Sequence, residues 1–186
     1  MAAAQPAASK PAPPAAGAPA AAPAMPTPPK ELADHLKATG GTWKCKGQGM
    51  DNTQKMADMT GTLVVKASAD NWWIQTSFDS KMGKQPFHFD SFSTYDATAK
   101  KWKQVMAETG GGWSTGESDG MKDNKFDWTL TSHLPGAAAA MMGGKTEMMF
   151  RDHQDMTDAK AGMKMSGEFS MDGKTWTQVY TMACKK

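Results

Sequence analysis

The chain has 186 residues, with 21 lysines and arginines against 19 aspartates and glutamates, and a formal net charge of +2. The charged residues are interspersed along the sequence without a basic patch, so nucleic-acid binding is not expected. No apolar run approaches the roughly 18 residues of a membrane-spanning helix. These properties leave a single ordinary domain with its own apolar core as the expected organisation.

Residues 1–29 consist almost entirely of alanine and proline. Such a segment has no large side chains to bury, and its prolines oppose both helix and sheet hydrogen bonding. We therefore predict a disordered, partly polyproline-like tether over 1–29 and one folded domain over 30–186. A tether of this kind is typical of a mature exported protein, which predicts a periplasmic protein or an outer-membrane lipoprotein whose leader is absent here. An intracellular protein with a natural disordered tail is the alternative.

A short helix is predicted directly after the tether. Leu32 and Leu36 stand four residues apart, which is helical spacing, and Gly40 with Gly41 ends the segment. We expect this helix to cap the mouth of the fold that follows, with the side chain of His35 facing solvent.

From residue 42 onward, short strand-like runs alternate with turns rich in glycine, asparagine and aspartate. The runs are 42–50, 60–67, 72–78, 87–95, 101–108, 113–117, 125–131, 145–151, 162–170 and 175–182. Runs of this length and spacing are typical of antiparallel sheets, and none has the helical period of a parallel crossover. In the first run, Trp43 would plug one end of a barrel, and Gly47 and Gly49 would let the strand bend. The predicted fold is all-β: a closed antiparallel up-and-down β-barrel of about ten strands.

The two cysteines, Cys45 and Cys184, fall in the first and last strand-like runs. The first and last strands of a closed barrel are neighbours, so we predict a disulfide that joins them. Such a bond would also indicate an oxidising compartment. Two unrelated buried thiols are the alternative.

Alternation within each run assigns an inward face built from tryptophan, methionine and phenylalanine, with Gln104 and Gln178 as polar exceptions. Flexible methionines and aromatic rings suit a small apolar ligand, and they equally suit a filled core. The residues predicted to line a ligand cavity are Trp43, Trp102, Met106, Trp128, Met148, Met163, Met165 and Phe169.

These motifs together resemble a known group of proteins. They comprise Gly41-Thr42-Trp43, Tyr95-Asp96, Lys101-Trp102 and the turn from Ser170 to Trp176. The pattern resembles the bacterial lipocalin-like barrel families of unassigned activity over residues 30 to 184, which implies an up-and-down barrel that is often exported. The Gly-x-Trp opening is also similar to nitrobindin, a haem-binding barrel. Its iron-ligating histidine has no counterpart in the last two runs, and His153 is expected on a loop, so haem is not predicted.

Three functions follow from these residues, none of them enzymatic, because no catalytic motif or phosphate-binding loop is present. The first is a cell-envelope protein that binds a small apolar ligand, without a cofactor and with its N-terminus as the membrane tether. The second is a structural barrel with a filled core that presents its wall to an unidentified protein partner. The third is copper binding through thioether sulfur. Its candidate ligands are Met141, Met142, Met148, Met149, Met163 and Met165, with His133 and His153 nearby.

Overall fold

The computed structural model describes residues 26–158 and 160–186. The helices are α1 (Lys30–Thr39) and α2 (Gly136–Met141). The strands are β1 (Gly41–Met50), β2 (Met56–Ala67), β3 (Ile74–Met82), β4 (Gln85–Asp96), β5 (Lys101–Glu108), β6 (Trp113–Ser118), β7 (Met121–Lys122), β8 (Lys125–His133), β9 (Glu147–Asp155), β10 (Met163–Ser170) and β11 (Thr177–Lys185). The predicted tether falls mostly on residues 1–25, which lie outside the described part of the chain.

Ten of the strands form a closed antiparallel barrel. Strands β1 to β6 follow one another around the wall, β6 pairs with β8, and β8 to β11 complete the ring back to β1. The two-residue strand β7 pairs with β8 and extends one hairpin. The predicted all-β, up-and-down barrel is therefore confirmed, and its strand order follows the chain because tight turns join sequential antiparallel strands.

Helix α1 covers one end of the barrel, which we call the helix end. Leu32 is buried there with the indole of Trp43, and the Trp43 Nε1–H donates a 2.7 Å hydrogen bond to the carbonyl oxygen of Thr39. That bond satisfies one of the carbonyl groups that the last turn of a helix leaves free. At the other end, which we call the open rim, the link between β8 and β9 contains the short alanine-rich helix α2. None of the helices in residues 26–158 and 160–186 combines the length and apolar character needed to cross a bilayer.

The seam between the first and last strands carries the predicted disulfide. The antiparallel register places Cys45 directly opposite Cys184, and the two sulfurs are bonded. Two residues further along β1, a Cβ on Gly47 would lie 1.9 Å from the carbonyl oxygen of Thr181, so only glycine allows β11 to approach this closely. The disulfide prediction is confirmed.

Because the chain contains two cysteines and both are in the bond, thiol titration gives a direct check. Protein denatured without reductant is expected to contain no free thiol, and reductant should release two thiols per chain. Two free thiols before reduction would contradict the bonded seam and would remove the argument for an oxidising compartment.

A cavity inside the barrel

The barrel encloses a cavity of about 250 Å³ between the helix end and the open rim. Its wall is mostly apolar and aromatic, and residues from α1 and from nine of the ten barrel strands contribute to it. Two depressions on the outer wall are also present, but they are open to solvent and their lining includes several lysines. The interior cavity is therefore the site of interest, because concave and mainly apolar spaces are the usual binding sites for small molecules.

The structure places five of the eight residues predicted to line the cavity on its wall. These are Met106, Trp128, Met148, Met163 and Met165. Trp43 and Trp102 are buried in the core at the helix end, and Phe169 is half-buried away from the cavity wall.

Of the two methionine pairs, Met148 and Met149 lie in β9, where consecutive side chains point to opposite faces of the wall, whereas Met141 and Met142 lie at the end of α2. Met148 lines the cavity, whereas the side chain of its neighbour Met149 is 40% exposed on the outside. Because of this division, Met148 and Met149 cannot both contribute sulfur to one site inside the barrel.

The expectation that His35 faces solvent is wrong. Its ring lies inside the helix end, with centroids 4.9 Å from that of Trp102 and 4.7 Å from that of Phe126. Burial lowers the pKa of His35 to about 4, so the imidazole is neutral at physiological pH. Its Nδ1 atom is buried without a hydrogen-bond partner among the described residues, and the side chain contributes to the cavity wall. The helix turns this residue inward because Leu32 and Leu36 share a broad apolar face with it.

A buried acid and phenol face the cavity from neighbouring parts of the wall. The hydroxyl of Tyr180 on β11 donates a 2.8 Å hydrogen bond to Oδ1 of Asp152 on β9. The interior position of Asp152 raises its pKa to about 6, with the Tyr180 hydrogen bond opposing that rise. Asp152 keeps some accessible surface because it faces the cavity, although it lies deep inside the protein.

Two further polar side chains reach the cavity from β5. The Oε1 atom of Gln104 is buried without a hydrogen-bond partner in the described chain. Glu108 lies near the open rim, and burial raises the pKa of its carboxyl. The inward orientation of Gln104 agrees with the sequence analysis. The same expectation for Gln178 is wrong, because that side chain is exposed on β11.

Asp152 is absent from the predicted cavity residues because the predicted strand ends at Arg151, where a run of charged and polar residues begins. In the structure β9 continues to Asp155. Its inward face therefore continues from Met148 and Phe150 to Asp152 and Gln154, all of which line the cavity. This alternation with a period of two could have predicted the inward position of Asp152, since successive side chains of a strand point to opposite faces.

The histidines on the barrel wall interact with carboxylates outside the cavity. His88 lies between Asp79 and Asp90, and the hydrogen bond to Asp90 is the larger cause of its raised pKa. His153 was expected on a loop, but it lies in β9 with its Nδ1 atom 2.7 Å from Asp127 Oδ1. These pairs leave His35 as the histidine that reaches the cavity.

Comparison with known proteins gives the fold and no family. No protein-family model matches the chain, and no curated protein sequence matches it. Fifteen chains of solved structures match. One is the crystal structure of Rv2717c from M. tuberculosis, with a TM-score of 0.61 and 12% sequence identity over 83% of this chain and 96% of that chain. At that identity the similarity shows the fold alone, a closed ten-strand antiparallel barrel.

Proposed function

We propose that this protein is a non-enzymatic binding protein whose barrel interior holds a small, largely apolar ligand. The observation that carries the proposal is the interior cavity of about 250 Å³, half of whose lining residues are methionine, phenylalanine, tryptophan or tyrosine. Entry of an apolar molecule removes both its own surface and the cavity wall from water, which is favourable. A flexible methionine lining can also adjust to the shape of the ligand.

The positions of the large buried side chains favour a ligand-binding barrel over the alternative of a structural barrel with a filled core. The large rings of Trp43, Trp102 and Phe126 are buried together with Leu32 at the helix end. Further along the wall, inward positions are occupied by small residues such as Ser91, Ser93 and Ser132, which leave the middle of the barrel open. Natural protein interiors contain few voids larger than a water molecule, so a space of this size favours a binding function.

We further propose that the protein works in the cell envelope, as an exported barrel of the lipocalin-like kind. The bond between Cys45 and Cys184 supports this location, because disulfides persist in oxidising compartments. The proposed location covers both a periplasmic protein and a lipoprotein tethered through its N-terminus.

Phenethyl alcohol, a neutral molecule with one aromatic ring, tests the ligand proposal. We expect isothermal titration calorimetry to detect binding to the wild-type protein. Substituting Met106→Trp should weaken binding about tenfold or more, because the larger ring occupies the cavity that the Met106 side chain borders.

Val105→Trp is the matched control, since Val105 precedes Met106 in β5 and its side chain is 49% exposed on the outer face. This variant should bind phenethyl alcohol as the wild type does. Equal binding by Met106→Trp and wild type would place the probe outside the barrel and contradict the proposal. Native mass spectrometry of detergent-free protein should additionally show any co-purified ligand as extra mass that is lost on denaturation.

A further inference from the structure

The ionisable groups of the cavity wall are mostly acidic. Asp152 and Glu108 contribute carboxyl groups, and the described residues of the lining include no lysine or arginine. The nitrogen-containing ring of His35 cannot replace a cation near neutral pH, because burial lowers its pKa to about 4. An anionic ligand would therefore lose its hydration without gaining a positively charged partner, which is strongly unfavourable.

The hydrogen-bond acceptors on the cavity wall also favour a ligand that carries hydrogen-bond donors. Gln104 presents a buried amide oxygen without a donor in residues 26–158 and 160–186. Asp152 receives one hydrogen bond, from Tyr180, and the described residues give its carboxyl no second side-chain donor. A buried acceptor without a donor, as at Gln104, is costly, so a ligand that donates hydrogen bonds would relieve that cost on binding.

The Asp152 carboxyl also has a fixed orientation, which a recognition group requires. Its oxygen Oδ1 is held by the hydroxyl of Tyr180 on a different strand, at 2.8 Å. The aromatic ring of Tyr180 lines the same cavity. A carboxylate beside aromatic rings in an apolar space suits an ammonium group, which it can bind by a charge-assisted hydrogen bond while the rings contact the cation.

We propose, building on the proposed ligand-binding function, that the cavity selects small apolar molecules bearing a protonated amine, with Asp152 as the partner of the ammonium group. Gln104 supplies a second acceptor. Carboxylate-bearing apolar molecules are rejected, because both ionisable carboxyl groups of the wall would repel them. The wall thus combines apolar contact for affinity with a charge preference for specificity.

A matched set of three probes tests this selection in the intact protein. Phenethylamine, phenethyl alcohol and phenylacetate share one aromatic ring and a short chain, and near pH 7.5 they are cationic, neutral and anionic. Titration calorimetry should find phenethylamine about tenfold or more tighter than phenethyl alcohol, with phenylacetate weakest. Asp152→Asn should remove most of the preference for the amine, measured as the ratio of the dissociation constants of the alcohol and the amine.

Two further variants test which carboxyl group is responsible for the preference for the amine. Asp127→Asn makes the same chemical change on the outer face of the adjacent strand β8, where Asp127 contacts His153, and it should keep the full preference for the amine. Glu108→Gln removes the other carboxyl group of the wall and should reduce the preference less than Asp152→Asn does. Loss of the preference in Glu108→Gln and not in Asp152→Asn would overturn the assignment to Asp152.

The order of affinities of the three probes for the wild-type protein tests the proposal even if Asp152→Asn fails to fold. Equal binding of all three probes, or tightest binding of phenylacetate, would overturn the amine proposal and leave the apolar-ligand function standing. Failure of all three probes to bind would overturn both proposals.

Discussion

Replacing both cysteines, Cys45→Ala with Cys184→Ala, is expected to lower the free energy of unfolding by about 5 kcal/mol. The bond links residues 139 positions apart, so it closes nearly the whole folded domain into one loop. In the chain-entropy account a loop of this length greatly reduces the freedom of the unfolded chain. Urea unfolding of the variant and the wild type, monitored by tryptophan fluorescence, measures the difference.

Reduced wild-type protein is the control for this experiment, because it retains both sulfurs and loses only the covalent bond. It should show most of the same destabilisation. If the reduced and oxidised proteins unfold at the same urea concentration, the bond does not stabilise the barrel. In that case the hydrogen-bonded pairing from Lys44–Lys185 to Gly49–Tyr180 would hold the seam by itself.

His35 and Asp152 on the cavity wall are expected to change the stability of the protein with pH in opposite directions. His35 has a pKa of about 4 in the folded protein against an ordinary 6.5, so its contribution to stability is lost as pH falls from 6.5 to 4. Asp152 has a pKa of about 6 against 3.8, so its burial costs stability as pH rises from 3.8 to 6. Each shift corresponds to roughly 3 kcal/mol at full titration, and in the wild type the two largely cancel.

Single substitutions should therefore reveal each contribution. Relative to wild type, His35→Phe is expected to gain about 2 kcal/mol of stability when pH is lowered from about 7.5 to about 4.5. Asp152→Asn is expected to change relative to wild type by a similar amount in the other direction, with its largest advantage at the higher pH. Urea unfolding at several pH values measures both differences.

The double variant and an outer-wall variant complete this test. Combining His35→Phe with Asp152→Asn should restore a pH dependence close to that of the wild type. Asp127→Asn should show much smaller changes than either single variant, because Asp127 lies on the exposed face of β8 and its charge is only a minor cause of the raised pKa of Asp152. Single variants that follow the wild type at every pH would mean that neither side chain has the shifted pKa that its position in the barrel implies.

Much of the barrel could be predicted from the sequence, because strand alternation and turn residues are local properties. A strict alternation from Lys125 to Thr131 and the turn at Asp172 and Gly173 do not depend on distant contacts. The disulfide was predictable for a related reason. Once the strands are taken as a closed antiparallel ring, Cys45 and Cys184 must lie on adjacent strands.

The polar part of the cavity could be predicted less well. Asp152 follows Arg151 and precedes His153, and such a charged run usually marks a solvent-exposed turn. Only the pairing of β9 with both β8 and β10 extends the strand through this run and turns Asp152 inward. The prediction that His35 faces solvent was wrong because the periodicity of a short helix does not show which aromatic rings of the barrel its side chains contact.

The sequence by itself determined the all-β architecture, the order of the strands and the pairing of the two cysteines. These depend on side-chain period, turn chemistry and chain order, which are written along the chain. Only the tertiary structure decided that the barrel is open in its middle, and that His35, Gln104 and Asp152 share one cavity. The volume enclosed by a ring of strands depends on how side chains from the whole ring pack at the same level, and no local pattern contains that information.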